Sequence, residues 1–167
     1  MNPTRAAAVL LGVLLWTVLP AGAESPVNFS GTWELDRSRS VLPARASAFS
    51  PDMTLVIHHN GATVKIERQI RLMGMRRSTS SIYYTDGRET SNVNARGDTV
   101  ISRSRWEGVA LLTTSKSTLT LDGKTQTVEA TDVKKLAENG KVLVVDSTVH
   151  LSGQDAPERT HLVFVRK

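Results

Sequence analysis

The stretch NFSGTWELDRSRS, Asn28 to Ser40, places a tryptophan two residues after a glycine at the start of the folded part of the chain. What that tryptophan does depends on the far end, where RTHLVFVRK, Arg159 to Lys167, closes the sequence. Side chains alternate between the two faces of a strand, so if Leu162 and Phe164 point inward, Arg166 does too. A guanidinium lying over the Trp33 indole would join the first strand to the last through a cation–π contact of about 0.5 to 2 kcal/mol. Such a plug suits a sheet closed on itself and has no purpose in two separate stacked sheets.

The punctuation between these ends agrees. Asn60-Gly61, Asp86-Gly87, Gly97-Asp98, Glu107-Gly108, Asp122-Gly123 and Asn139-Gly140 each separate two stretches rich in Val, Ile, Thr and Leu. Asn-Gly and Asp-Gly signal tight hairpins, because both central residues of a type I′ turn need positive φ. With softer breaks at Gly74 and at Ser152 to Pro157, the chain reads as an all-β, antiparallel, up-and-down meander of about eight to ten strands. In ATVKIERQIRL, Val64, Ile66, Ile70 and Leu72 share one face, while Lys65, Glu67, Gln69 and Arg71 share the other. Leu143, Val145, Val149 and Leu151 form a similar row. One dry face and one wet face per strand predict a barrel, which also removes exposed sheet edges. The best helical candidate, Ser38 to Asp52, is interrupted by Pro43 and Pro51 and reads as a long first loop, a candidate lid.

The first residues read as an export leader. Arg5 gives a positive start, Ala6 to Pro20 is an apolar run, and Ala21-Gly22-Ala23 is a small-x-small cleavage site. The apolar run is short for a permanent span, so residues 1–23 are assigned as signal peptide and 24–167 as one barrel domain. The expected location is periplasmic or secreted, without stable membrane insertion. A chain of 167 residues with 40% hydrophobic and 22% charged composition has room for one core, and its lack of cysteine leaves packing and sheet hydrogen bonds to hold it. Loss of the leader with its single arginine takes the formal charge from +5 to +4. Arg68, Arg71, Arg76, Arg77, Arg88, Arg96, Arg103 and Arg105 face only Asp86, Glu89 and Asp98 in the same stretch, so the middle of the chain is electropositive. That balance reads as an ordinary solvated basic face or as the footprint of an anionic partner. Nucleic acid does not fit it, because no stacking aromatics interleave the basic residues.

Gly31-Thr32-Trp33 resembles the glycine-x-tryptophan motif on the first strand of lipocalins and related calycin barrels. In that family the indole closes the barrel floor under a basic residue of the last strand, the place Arg166 would take. The order of FSGTW, DG, WEG, LDGKT and NGK from Phe29 to Lys167 is similar to small secreted bacterial lipocalin-like proteins. The resemblance implies a fold; the group carries no assigned activity. Two parts of the lipocalin pattern, the helix before the final strand and the mid-chain glycine-aspartate motif, are absent.

Exceptions to the apolar rows mark the candidate site. Arg68 falls in the inward register between Ile66 and Ile70, where a charge must be paired or hydrogen-bonded. It reads as the anchor for an acidic head, as half of a structural ion pair with an inward Asp or Glu, or as a residue that a strand bulge turns to solvent. Ser102, Ser104 and Trp106 share a register, and Tyr84 follows Ile82. Together these residues describe a pocket for an amphipathic or anionic small molecule. No catalytic residues are identified, and the sequence implies no cofactor. His58 and His59, being adjacent on a strand, point apart; His150 and His161 fall on the outer face, and no cluster has the spacing for a metal. The expectation is a non-catalytic binding barrel. The alternative is a cell-envelope interaction or inhibitor module with a filled core.

Overall fold

The computed structural model describes residues 27–43, 51–121 and 123–167. The leader, the middle of the first loop (44–50) and Asp122 of one expected turn lie outside the described residues. The strands are β1 (Gly31–Leu35), β2 (Asp52–Asn60), β3 (Thr63–Leu72), β4 (Met75–Tyr84), β5 (Asp86–Val93), β6 (Thr99–Glu107), β7 (Ala110–Leu121), β8 (Lys124–Ala137), β9 (Val142–Leu151) and β10 (Glu158–Arg166). They form one ten-stranded sheet in the order β4-β3-β2-β1-β10-β9-β8-β7-β6-β5. Each strand pairs with its successor except β4 with β5, and β1 pairs with β10. The described helical turns, Arg37–Arg39 and Glu138–Gly140, are short 3-10 turns.

The seam between β4 and β5 is bridged by a side chain rather than a backbone ladder. The Asn92 carboxamide accepts the Ile82 N–H at 2.8 Å and donates to the Ile82 carbonyl at 2.9 Å. The barrel is therefore nearly closed, with a narrow gap along one side.

Alternation places the core as the sequence predicts. Val64 and Ile66 are buried inside, while Lys65 and Glu67 pair on the outer face at 2.8 Å. Leu55, Ile57, Leu111, Leu143, Val145 and Phe164 join the same cluster. Val142, Val144 and Val163 form a second, smaller cluster with Ala137, so the VLVV run of β9 is buried on both faces. The turns depart from expectation. Among the described residues, a two-residue type I′ turn is formed by Met73-Gly74, with φ of 48° and 80°, between Leu72 and its partner Met75. Asn60 instead stays in its strand opposite Thr63, leaving Gly61, at φ 55°, as the first turn residue. That is the type II′ position for glycine.

The opening motif closes one end of the barrel. Trp33 lies directly opposite Arg166 and is fully buried. The guanidinium carbon stands 4.2 Å from the indole centroid. Arg166 also donates to the carbonyls of Gly140, at 3.1 Å, and Ser30, at 2.8 Å. Gly31 makes room for this: its φ is 143°, and a Cβ there would meet Arg166 Nη1 at 2.5 Å. The φ disfavours any side chain there, and a Cβ would push the guanidinium from its place over the indole.

Candidate functional site

The interior is layered from this floor to the opposite, open end. At the floor Phe29, His59 and Trp106 stack on one another, with centroids 5.7 to 6.0 Å apart. The Trp33 indole N–H donates to the Phe29 carbonyl at 3.0 Å. His59 Nδ1 accepts the Phe29 N–H at 3.3 Å, and His59 Nε2 lies 3.1 Å from the Gly61 carbonyl. Only the neutral ring with its proton on Nε2 satisfies both contacts. Burial lowers the His59 pKa from its ordinary 6.5, against a smaller opposing effect of the Gly61 carbonyl. The unfolded chain then binds the extra proton more readily, so stability is full above pH 6.5 and falls as pH drops through that value toward the lower folded pKa. Urea midpoints taken from neutral to mildly acidic pH should decline on this account, and His59→Gln should flatten the decline. An unchanged slope in the variant would assign the sensitivity elsewhere.

Above the floor lies a buried hydroxyl layer of Thr90, Ser102, Ser104 and Thr113. Ser104 and Thr113 share a hydrogen bond at 2.8 Å, and Thr90 donates to the Ser102 carbonyl at 3.3 Å. A pair of charges follows. Lys134, only 7% exposed, sits 3.4 Å from Asp132. Ser147 donates to Asp132 at 2.6 Å, and the Tyr83 ring centroid is 5.5 Å from the Lys134 ammonium. Burial alone would raise the Asp132 carboxyl, but the Lys134 charge, the Ser147 hydroxyl and the Arg68 charge hold it below its ordinary value. Asp132 and Lys134 sit two apart on β8, facing Thr113 and Leu111. A charged i, i+2 pair in the inward register was the available signal, and the sequence reading passed over it.

The open end holds a cavity of about 470 Å³. Ile66, Ile70, Leu72, Met75, Val93 and Val100 give it apolar walls, and Arg68, Arg77, Tyr83, Asn92, Asp132 and Lys134 give it polar points. Its formal side-chain charge is positive, with three cations against Asp132. Arg68 borders the cavity in the predicted inward register, and no described residue forms an ion pair or hydrogen bond with its guanidinium. A second, almost wholly apolar pocket of about 280 Å³ adjoins at Ile70 and Leu72. Leu42, Pro43 and Pro51, the described ends of the first loop, line it.

The other expected site residues fall elsewhere. Tyr84 is on the outer face, with the Arg88 guanidinium 3.7 Å from its ring centroid, and Tyr83 takes the interior place. The phase of β4 is opposite to the one read from Ile82, because Ile82 is a half-exposed apolar residue on an edge strand. Ser102, Ser104 and Trp106 do point inward, but they belong to the packed layers rather than to the cavity wall. His150 and His161 are both on the outer face yet do not meet: their cross-strand neighbours are Glu129 and Asp146. His161 is hydrogen-bonded to Asp146.

No family model matches the chain, and no curated protein matches it. Solved structures do. Human cRBP IV is similar with a TM-score of 0.55 at 19% identity, over 85% of this chain and 100% of that one. A zebrafish ileal bile acid-binding protein complexed with cholic acid gives 0.56 at 16% identity, over 83% and 98%. The REP1-NXSQ fatty acid transporter gives 0.53 at 12% identity, over 83% and 95%. At these identities the likeness is one of fold.

Proposed function

We propose that the chain is an exported, non-catalytic barrel that carries a small amphipathic molecule, its acidic head on Arg68 and its apolar body along Ile66, Ile70, Leu72 and Val100. The observation that carries this is an exposed guanidinium at the rim of an apolar-walled cavity, in no hydrogen bond or ion pair with a described residue and acting on Asp132 only through its charge. Its volume of about 470 Å³ lies in the range of sites that enclose small ligands. A carboxylate is the planar acceptor that such a group takes in a bidentate hydrogen bond. The names of two structural neighbours, a fatty acid transporter and a bile acid-binding protein, support the reading, since both kinds of ligand are amphipathic acids. The alternative, an interaction module with a filled core, draws support from the packed layers around Ser102, Ser104 and Trp106, where it needs no pocket; the cavity at the open end favours the binding reading.

Arg68→Met separates anchor from structural pair. As an anchor, its loss should weaken binding of an ionised fatty acid by about tenfold or more, the worth of a hydrogen bond to a charged group. The melting temperature should stay nearly level, because the guanidinium is exposed and adds only a charge effect on Asp132 to those of Lys134 and Ser147. Unchanged fatty-acid affinity with a lowered melting temperature would make Arg68 a structural residue and remove the site.

A further inference from the structure

The hairpin joining β3 to β4 has an unusual tip. Met73, 79% exposed, and Met75, 59% exposed, flank Gly74 at the open end of the barrel. Met73 holds φ at 48°, a left-handed conformation that asparagine or glycine adopts with less strain. A strained, unbranched apolar residue stands where the turn alone would favour a polar one. Backbone strain of this kind is grounds for asking what the side chain is for.

Directly behind the tip, Arg71 and Arg76 face each other across the strands. Like charges in that position repel; Asp52 stands opposite Arg71 on the β2 side but is paired with Arg37, and no described carboxylate forms an ion pair with either arginine. They border an outer groove of about 550 Å³ that also includes Gln69 and Ser78. The acidic residues of that groove are already engaged, Glu34 by Lys167 and Asp52 by Arg37. Arg71 lies two residues from Met73, about 7 Å along a strand. That matches the depth to which peripheral apolar side chains enter the boundary between headgroups and acyl chains.

We infer that this hairpin docks the barrel on an anionic lipid surface, with Met73 and Met75 entering the interface and Arg71 and Arg76 taking lipid phosphates. Met75 also lines the interior cavity, so docking sets the cavity entrance against the bilayer. Among the described residues neither arginine is held in an ion pair and the methionine tip is exposed, and an anionic bilayer supplies contacts for both at the observed spacing.

The chain has no cysteine, so Met73→Cys carries a single environment-sensitive dye. Val109→Cys is the control, a 60% exposed apolar residue in the β6–β7 turn at the floor end. With vesicles of phosphatidylcholine mixed with phosphatidylglycerol, the dye at 73 should shift to the blue while the dye at 109 does not. Vesicles of phosphatidylcholine alone should leave both unchanged. Arg71→Gln with Arg76→Gln should weaken the response about 30-fold, roughly fivefold per arginine near a charged surface, without lowering the melting temperature. Met73→Asn should firm the turn yet weaken vesicle binding, a pairing that a purely structural methionine would not give. Arg68→Met should leave docking intact, so this inference and the interior site fail separately. Equal responses at 73 and 109, equal binding to neutral vesicles, or an unaffected double variant would overturn it.

Discussion

Trp33→Ala should destabilise the protein by about 3 to 5 kcal/mol, the usual loss for deleting a large core aromatic. The indole is fully buried, and its removal opens the floor beneath Phe29 and strands the Phe29 carbonyl that its N–H satisfies. Arg166→Ala should cost less, because the guanidinium lies at the surface and its two carbonyl contacts pass to water. The two losses should not add: each variant already lacks the contact at 4.2 Å, whose worth of about 0.5 to 2 kcal/mol is the expected coupling. Chemical denaturation of the four proteins measures this directly. Strict additivity would mean that closure of the first strand on the last does not depend on the pair.

Asp132→Ala should be about as damaging, roughly 3 to 5 kcal/mol, for a different reason. It leaves the Lys134 ammonium buried with no counter-ion, where charge is far more costly than in water. Replacing both members, Asp132→Leu with Lys134→Met, should recover most of that loss, since an apolar pair of similar volume avoids both desolvation penalties. Because the folded carboxyl is held below its ordinary 3.8, its contribution is present above that pH and is lost as pH falls through the lower folded value. A double variant no more stable than Asp132→Ala would show that the pair is not the source of the effect.

The fold was legible because strict alternation ran through the strands that matter. Val64, Ile66, Arg68 and Ile70 fixed the phase of β3, and Leu162, Phe164 and Arg166 fixed that of β10. The candidate site was legible only where an inward row was mostly apolar, so that a single charge such as Arg68 stood out. On β4 the interior row is Met75, Arg77, Thr79, Ser81 and Tyr83, largely polar because it borders a cavity, and a half-exposed Ile82 pointed the reading to Tyr84. Ser102 and Ser104 were placed on the correct face, but depth along the barrel axis cannot be read from a period of two. Local pattern gives the face; only the registers of neighbouring strands reveal that the hydroxyls lie below the cavity. The Met73-Gly74 turn gives only a soft signal for a related reason, since methionine carries none of the left-handed preference that marks Asn-Gly.

The most direct test of an acid-headed ligand in the cavity is one pair of titrations, with a fatty acid and a fatty alcohol of the same chain length. Their apolar bodies are identical, so any difference in affinity reports the head. An Arg68 guanidinium in no hydrogen bond or ion pair with a described residue predicts that the ionised acid binds tighter by about 1.5 to 3 kcal/mol, on the order of 10- to 150-fold. Equal affinities for acid and alcohol, or saturable binding of neither, would contradict the account.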